Sequence, residues 1–377
     1  MKALIGHEAF TEAVRWGTRN VPTRPTVPSL ACALVEASGD RLSVSCFDYE
    51  TSSRISVAAL VGEAGVALVP GRLLADIARA LPAEDVEFTV DGGRVGLVCG
   101  DVRFHLPTMP VEDFPTPPAM PETVGTADAT ALSRAVAQTS VAAGRDDTLP
   151  VLTGVELALG ERIGLAATDR YRMAVAEVDW HPADAKAPGA KALIPAKTLA
   201  ALAKSLSSVG GDVTIAASTD EDGDVGLIGF SAGDRSTVSR VLDGRLPDLR
   251  ALIALEYPTT LKVDTAALAL AVRRVSLVGE RNSRLRLFAE GDHLTVESGS
   301  HGGAADGSQT LGCEYGGELL RLAFNPLYVA DALATVDTPT TVFAIDAEGI
   351  RVLLTGEDAE GGEVEFRQLL RTLRWEG

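Results

Sequence analysis

The side chains most suited to chemistry in this chain are scattered histidines and carboxylates, and their spacing does not support catalysis. His7 and Glu8 begin like a zinc-protease helix, but no second histidine follows at the required spacing. The sequence also has no phosphate-binding GxxxxGK[ST] loop and no GxGxxG turn after a strand. Catalysis remains an alternative only because a chain with 52 acidic residues can always bring some pair of carboxylates together by chance. We therefore expect a non-catalytic protein without a cofactor or a metal ion.

The cysteines indicate the compartment. Cys32, Cys46, Cys99 and Cys313 are far apart and form no CxxC pair, which predicts reduced, mostly buried thiols. The N-terminal MKALIGHEAF has one lysine and a broken apolar run, unlike a secretory signal. The sequence contains no apolar stretch of about 18 residues, so we predict no membrane span. We expect a cytoplasmic protein with no membrane partner.

Positive charge is concentrated in six helix-like windows although the chain carries a net charge of −18. The windows are 9–20, 71–81, 130–145, 196–207, 265–278 and 326–336. They hold ten basic and three acidic residues, which leaves 24 of the 34 basic and 49 of the 52 acidic residues elsewhere. One interpretation is that helices simply favour Arg and Lys. The other is a basic surface that faces a polyanion, with an acidic exterior that discourages binding elsewhere.

These windows belong to a threefold internal repeat. An Ala-Val pair recurs at 13–14, 135–136 and 271–272, and a second helix-like run recurs as GRLLADIARAL, AKTLAALAKSL and PLYVADALATV. The repeat length of about 120–135 residues is that of a domain, since solenoid units span about 20–50 residues.

Each third predicts the order helix, strands, helix, strands. Two strands are expected around Asp48-Tyr49 within 40–57, two around Thr168-Asp169 within 160–178, and two within 285–298, followed by a Gly-rich loop at 301–308. Asp128 and Asp264 are good N-caps for the runs that follow them. The pattern predicts an α+β fold in three domains, 1–121, 122–253 and 254–377, with antiparallel sheets and two helices each.

Five segments carry a resemblance to a known family. They are RPTVPSL (24–30), DDTLPVLTGV (146–155), ATDRYRMAV (167–175), DGRLPDLRAL (243–252) and AFNPLYVADAL (323–333). In order and spacing the chain resembles the bacterial DNA polymerase III beta subunit, the beta sliding clamp.

The resemblance implies a homodimeric ring. Three clamp domains per subunit would pair head to tail with pseudo-six-fold symmetry, helices lining a hole through which duplex DNA passes. Contacts would be made to phosphates without sequence readout, and the subunit would tether a polymerase for processive DNA replication. The DNA-facing residues that the family implies are Arg24, Arg72, Arg145, Lys197 and Arg281.

The resemblance also implies partners and a pocket that binds their peptides. The partners are the DNA polymerase III alpha subunit, the clamp loader and other proteins with a clamp-binding motif. The corresponding pocket positions are Leu152, Thr168, Arg172, Met173, Pro247, Leu252, Asn325, Tyr328, Arg374 and Trp375. Apolar walls with a few polar groups suit a peptide, although Leu152, Met173 and Leu252 are equally suited to a plain core.

The C-terminus departs from the family pattern. Members end in a segment like Met-Pro-x-Arg-Leu, whereas this chain ends in LLRTLRWEG. Arg371-Thr372 take the Met-Pro place and Trp375 the place of the final Leu, which changes the charge and volume of a pocket wall. One hypothesis is a specialised second-copy clamp that tolerates a pocket-binding inhibitor; the alternative is drift in an ordinary clamp.

Two further points stay open from sequence. Ring closure would pair an edge strand of the first domain with one of the third, and 103–106 with 293–297 are candidates unless they are interior strands. A scaffold that keeps the clamp fold without encircling DNA is the remaining rival, although helices that retain basic residues argue against it.

Overall fold

The computed structural model describes residues 1–183, 189–206, 210–219, 225–247, 250–279, 283–299, 305–360 and 362–374. The chain folds into two compact units. Unit 1 consists of Met1–Asp128 and the described parts of 181–187 and 208–241. Unit 2 consists of Ala129–Trp180 and the described parts of 188–207 and 242–377.

The described residues contain seven α-helices, and six of them match the predicted windows. The seventh, α5, is a single turn. The helices are α1 (His7–Gly17), α2 (Gly71–Ala80), α3 (Ala129–Ser140), α4 (Ala196–Leu206), α5 (Arg250–Ile253), α6 (Thr265–Val275) and α7 (Pro326–Leu333). None of these helices is long and apolar enough to cross a membrane.

The strands follow the same order in each third of the chain. The first third has β1 (Lys2–Ile5), β2 (Cys32–Ser38), β3 (Arg41–Phe47), β4 (Thr51–Ala58), β5 (Leu60–Glu63), β6 (Gly65–Pro70), β7 (Val86–Asp91), β8 (Arg94–Cys99) and β9 (Val102–Pro107). The second has β10 (Thr123–Asp128), β11 (Gly154–Leu159), β12 (Ile163–Thr168), β13 (Arg172–Val178), β14 (Trp180–Pro182), β15 (Ala190–Pro195), β16 (Asp212–Thr219), β17 (Val225–Ala232) and β18 (Arg235–Arg240). The third has β19 (Thr259–Asp264), β20 (Arg284–Glu290), β21 (His293–Gly299), β22 (Asp306–Glu314), β23 (Leu320–Phe324), β24 (Thr340–Ile345), β25 (Arg351–Glu357) and β26 (Glu363–Arg371).

The repeat predicted from sequence is confirmed in three dimensions. The Ala-Val pairs at 13–14, 135–136 and 271–272 lie in α1, α3 and α6, and all six side chains are buried. Within each third the two long helices contact each other. The strand pairs predicted around Asp48, around Asp169 and within 285–298 form as antiparallel hairpins. The chain therefore has the predicted α+β fold in three repeats.

Helix ends follow the local sequence signals. The Asp264 side chain accepts a hydrogen bond from the Ala267 N–H at 2.7 Å and caps α6, as predicted. Asn325 caps α7 in the same way, accepting from the Leu327 N–H at 3.0 Å, and Pro326 occupies the first helical position. Asp128 immediately precedes α3. Of the predicted Gly-rich loop, 301–304 lie outside the described residues, and Asp306 already begins β22.

The strands of the second third of the chain are divided between the sheets of the two units. Unit 1 holds a five-stranded sheet, β5-β1-β7-β8-β9, and a nine-stranded sheet, β14-β10-β16-β17-β18-β4-β3-β2-β6. Unit 2 holds a twelve-stranded sheet, β15-β11-β12-β13-β26-β25-β24-β19-β22-β21-β20-β23. Because β18 pairs with β4 and β13 pairs with β26, strands of neighbouring repeats form continuous ladders in each unit.

The cores agree with the apolar pattern of the sequence. On α1 the buried residues are Phe10, Ala13, Val14, Trp16 and Gly17, one face of a helix. Cys32, Cys46 and Cys99 are buried free thiols and Cys313 is half-buried, as the sequence predicted. Burial raises the pKa of the Cys46 thiol to about 12.

Candidate functional site

A cavity of about 520 Å³ in unit 2 contains several of the predicted pocket residues. Its walls come from the segment after α3, from the turn between β12 and β13, and from the start of α7. The lining residues are Ala143, Gly144, Arg145, Asp146, Leu149, Leu152, Asp169, Arg170, Tyr171, Arg172, Asn325, Leu327 and Tyr328. The fold thus brings Leu152, Arg172, Asn325 and Tyr328 to one place from three distant parts of the sequence.

The turn between β12 and β13 is built by Asp169. Its Oδ1 accepts hydrogen bonds from the N–H groups of Tyr171 and Arg172, both at 3.0 Å, which is an Asx-type turn. The Thr168 hydroxyl donates to the Arg172 carbonyl at 2.7 Å and accepts from the Arg170 N–H at 3.1 Å. Thr168 is therefore a buried part of this turn, which fixes where the following side chains point.

Arg172 is the central charged group of the cavity, with 5% of its surface exposed. Its Nε donates to Asp169 Oδ2 at 3.0 Å and its Nη1 donates to Asp331 Oδ2 at 2.8 Å. The guanidinium also lies 4.3 Å from the centroid of the Tyr328 ring. Two carboxylates and an aromatic face offset the cost of burying this charge, so Arg172 holds the turn and α7 in a fixed relation.

Tyr328 and Asn325 hold the opposite wall. Burial, followed by the neighbouring Asp169 carboxylate, raises the pKa of the Tyr328 phenol, so it stays neutral at physiological pH. The side-chain oxygen Oδ1 of Asn325 accepts the hydrogen bond that caps α7. Its amide nitrogen is the group that remains for a ligand.

The other predicted pocket residues occupy an apolar cluster beside this cavity. Met173, 2% exposed, packs in a buried cluster with Leu193, Leu246, Leu353 and Leu369, against which half-buried Leu152 and Leu252 pack. Met173 is thus a core residue, one of the alternatives left open by sequence. Pro247 lines a separate cavity of about 810 Å³ on the unit 2 sheet.

The C-terminal segment runs beside the cavity. The Arg371 N–H donates to the Tyr171 carbonyl at 2.9 Å, and the Leu373 N–H donates to the Ala323 carbonyl at 2.7 Å. The Thr372 hydroxyl donates to the Gly349 carbonyl at 2.9 Å. The backbone of this segment is therefore tied to strands that end at the cavity, while the Arg371 side chain is exposed.

Arg374 and Trp375 are the two remaining predicted wall residues. Arg374 is exposed, and its carbonyl accepts a hydrogen bond from Arg284 Nη1 at 2.8 Å. Trp375 lies outside the described residues.

The predicted DNA-facing residues are exposed wherever the structure describes them. Arg72 is the second residue of α2 and Lys197 the second residue of α4, so they occupy equivalent places in two repeats. Arg24 is exposed in the segment after α1. Arg145 is exposed and lines the cavity of Arg172 and Tyr328. Arg281 lies outside the described residues.

Further arginines that were counted in the helix windows, but not singled out, lie around Arg72. A groove of about 460 Å³ between α1 and α2 in unit 1 is lined by Arg15, Arg19, Arg72 and Arg79. Arg15 pairs with Glu12, and Arg79 pairs with Asp76 at 2.5 Å. Exposed ion pairs of this kind are weak and leave both guanidiniums available to a polyanion.

Arg19 has a structural role instead. Its guanidinium lies 3.8 Å from the centroid of the Trp16 ring, and its Nε donates to the Ser53 hydroxyl at 3.1 Å. Burial lowers the pKa of Arg19 to about 10. Arg235 lies 5.3 Å from the same ring centroid and pairs with Glu12 at 2.6 Å. Not every arginine in the predicted helix windows is therefore exposed. Sequence composition alone did not reveal this.

Of the two candidate edge segments, one is an edge strand and the other is an interior strand, the alternative left open by sequence. Residues 103–106 lie in β9, the terminal strand of the five-stranded sheet. Residues 293–297 lie in β21, which pairs on both sides, with β20 and with β22. Besides the terminal strands β15 and β23, the next strand, β22, has an open edge. Residues 306–312 of β22 pair with β21, whereas β19 pairs only at 313–314, and no other strand among the described residues occupies that side.

A serine motif that sequence reasoning missed has no catalytic setting. GFSAG at 229–233 fits the GxSxG pattern, but Ser231 lies inside β17, opposite Ser236 of β18. The nucleophile motif requires a strand-to-helix turn. Among the described residues, no group of three or more His, Cys, Asp or Glu side chains could hold a metal ion.

Comparisons with known proteins agree with this architecture. The N-terminal, central and C-terminal domain models of the DNA polymerase III beta subunit match residues 1–118, 126–248 and 250–359. The chain is 42% identical to the beta sliding clamp of Streptomyces coelicolor over 380 residues, covering 100% of both chains. It is 38% identical to the "Beta sliding clamp homolog GriR" of Streptomyces muensis over 369 residues, covering 97% of this chain and 96% of that one.

A solved structure shows the same fold over the whole length. The sliding clamp of Bartonella birtlesii bound to griselimycin superposes with a TM-score of 0.87 at 26% identity, covering 100% of both chains. Three domain models in order, full-length relatives and a full-length structural match leave one assignment. The chain belongs to the DNA polymerase III beta subunit family, the bacterial beta sliding clamps, whose members are non-catalytic processivity subunits.

Proposed function

We propose that this protein encircles duplex DNA as a homodimeric ring and tethers the replicative polymerase to it. The observation that carries the proposal is the equivalence of exposed cations on a repeated fold. Arg72 and Lys197 stand at the second position of α2 and of α4, in a chain whose acidic excess lies outside the helices. Contacts from such side chains to phosphates are salt-sensitive and independent of sequence, which suits sliding.

DNA contact is tested by charge removal at the equivalent positions. The double variant Arg72→Gln, Lys197→Gln should weaken binding to a 30-base-pair duplex and flatten its salt dependence by a slope of about 2. Arg54→Gln is the matched control, because Arg54 lies on β4 and pairs with Glu36 at 3.1 Å. Equal losses in the control would show that the helix positions have no special role.

Ring closure would use one open edge from each unit. We propose that β9 of one subunit pairs with β22 of the other, which would complete both ladders and remove two exposed edges. Leu277, 82% exposed at the end of α6, lies at the same end of unit 2 and favours a covered surface there. Light scattering should give twice the chain mass of 39.3 kDa. Gln309→Pro in β22 should shift the mass toward the monomer, because proline cannot donate to a strand ladder.

The cavity of Arg172 and Tyr328 is proposed to bind the partner peptides of the clamp. Apolar groups at Leu152 and Leu327 and a rigid aromatic wall at Tyr328 suit a short apolar anchor. The partners we propose are the polymerase III alpha subunit, the clamp loader and other proteins with the clamp-binding motif.

The boundaries of the three domains at 121 and 253 and the cytoplasmic location also stay predictions.

A specialised role rests on the C-terminal tail. Backbone hydrogen bonds from Arg371 to Tyr171 and from Leu373 to Ala323 hold the tail beside the cavity. This favours a direct effect of Arg371 and Thr372 on ligand choice. We propose that Arg371→Met with Thr372→Pro raises the affinity for griselimycin and for a clamp-binding peptide. Unchanged affinities would leave an ordinary clamp with a drifted tail, and a stable monomer would favour the scaffold.

A further inference from the structure

Two exposed arginines line the cavity together with Arg172. Arg145 follows α3 and Arg170 lies in the turn between β12 and β13; both are exposed and both line the cavity. Among the described residues, neither takes part in an ion pair within 4.0 Å. Arg172, by contrast, is fully engaged by Asp169 and Asp331. The cavity is therefore lined by one buried guanidinium that is engaged in ion pairs and by two exposed arginines that are not.

The backbone at Arg170 adopts an uncommon conformation. Its φ angle is +77°, in the left-handed region, where glycine is favoured and a long side chain is strained. Such outliers persist where the surroundings over-determine them, often at binding sites. Tyr49 has the same angle in the equivalent turn of unit 1, so the turn imposes this conformation and the argument for a subsite depends on the charge and exposure of Arg170.

The carboxylates at the cavity do not neutralise these two arginines. Asp169 accepts from the turn amides and from Arg172. Asp146 Oδ1 accepts from the Thr148 N–H at 3.0 Å and from the Thr148 hydroxyl at 2.7 Å. These hydrogen bonds lower the pKa of Asp146, and Arg170 adds a smaller effect through its field. Arg170 thus lies close to Asp146 without forming an ion pair with it.

We propose that Arg145 and Arg170 form a subsite for an acidic side chain of the partner peptide, next to the apolar anchor at Leu152 and Tyr328. The inference rests on the proposed peptide-binding function of this cavity. In a chain of net charge −18, two exposed cations without an ion pair at this cavity would attract an acidic side chain. The subsite therefore distinguishes partners by charge, whereas the apolar wall provides affinity.

The test uses pairs of fluorescein-labelled clamp-binding peptides that differ only in Asp or Asn, one pair for each polar position of the motif. Binding to the full chain is measured by fluorescence anisotropy at 50 and 300 mM NaCl. At one position at least, the Asp peptide should bind three- to tenfold more tightly at low salt, and the difference should shrink at high salt. Arg170→Gln and Arg145→Gln should each reduce that preference, and Asp146→Asn should increase it.

Two controls separate the possible failures. Arg170→Gly removes the charge and relieves the backbone, so an unfolded variant cannot explain a lost preference. Tyr49→Gln, at the equivalent positive φ angle in unit 1, should leave peptide selectivity unchanged. Equal binding of Asp and Asn peptides at every position, or a preference that survives in Arg145→Gln, Arg170→Gln, would overturn the subsite alone. Failure of all peptides to bind the unaltered chain would overturn the proposed peptide-binding function, and the subsite with it.

Discussion

The turns at Asp48 and at Asp169 are the same backbone device put to different uses. In both, an aspartate Oδ1 accepts the N–H groups two and three residues ahead, and the next residue has a positive φ, 76° for Tyr49 and 77° for Arg170. The third position differs. It is Thr51, buried in unit 1, and Arg172 in unit 2. All three residues after the aspartate differ between the two turns, and the change at the third position separates a packed hairpin from a charged cavity wall.

The comparison shows how a repeat acquires a site. Thr51 needs only a hydroxyl contact with Ser239 at 3.3 Å, whereas Arg172 recruits Asp169, Asp331 and the ring of Tyr328. The scaffold is shared because local hydrogen bonds build it. The site is unique because its partners come from α7, in the third repeat.

The largest expected effect is the loss of Arg172. Arg172→Ala leaves two half-buried carboxylates, Asp169 and Asp331, without their cation, so it should lower the free energy of unfolding by about 3 kcal/mol. Thr51→Ala, the equivalent change in unit 1, should cost about 1 kcal/mol because it removes one neutral hydrogen bond and a methyl group. Guanidinium unfolding of both variants measures the difference. Equal losses would contradict the contrast between the two turns.

A second effect belongs to the Asp48 hairpin alone. Burial raises the pKa of Cys46 from 9.0 to about 12, and the residue at the equivalent place in the second repeat is Ala167, which does not titrate. Because the folded pKa is raised, this stability is present below pH 9 and is lost as pH rises toward 12. At pH 10.5 the unaltered chain should lose about 2 kcal/mol more than Cys46→Ala, relative to pH 8. Parallel losses in the two proteins would show that the thiol does not contribute.

The smallest effect concerns the positive-φ residues. Arg170→Gly and Tyr49→Gly each relieve strain but increase the freedom of the unfolded chain, so each should change the free energy of unfolding by no more than about 1 kcal/mol. Only Arg170→Gly should alter binding of an acidic peptide. Thermal unfolding and anisotropy on the two variants check both statements, and a loss of peptide selectivity in Tyr49→Gly would count against them.

What the sequence could predict was governed by local patterns. The helices, the hairpins at Asp48 and Asp169 and the cap at Asp264 follow from apolar periodicity and from side chains that bond their own backbone. The edge at β22 did not follow, because alternation along a strand says which face is buried and not which neighbour is missing. The division of the second repeat between two sheets depends in the same way on pairing of β18 with β4 and of β13 with β26.

The sequence predicted which residues belong to the site, but not how they are arranged around the cavity. The residues that the family resemblance singled out include Arg172, Asn325 and Tyr328, which the structure brings together around one cavity. The resemblance did not separate Met173, a core residue, from the cavity wall. Arg170 and Asp331 were missed because their importance depends on a positive φ angle and on an ion pair across 159 residues.

The most direct test of the central claim is retention on DNA by topology. The labelled protein is loaded onto a nicked circular plasmid by its clamp loader with ATP, separated by gel filtration, and followed before and after linearisation of the plasmid. A ring that encircles DNA should stay with the circle at 0.3 M salt, where simple phosphate contacts weaken, and should leave when the DNA is cut. Retention that is equal on circular and linear DNA, or absent from both, would contradict the account.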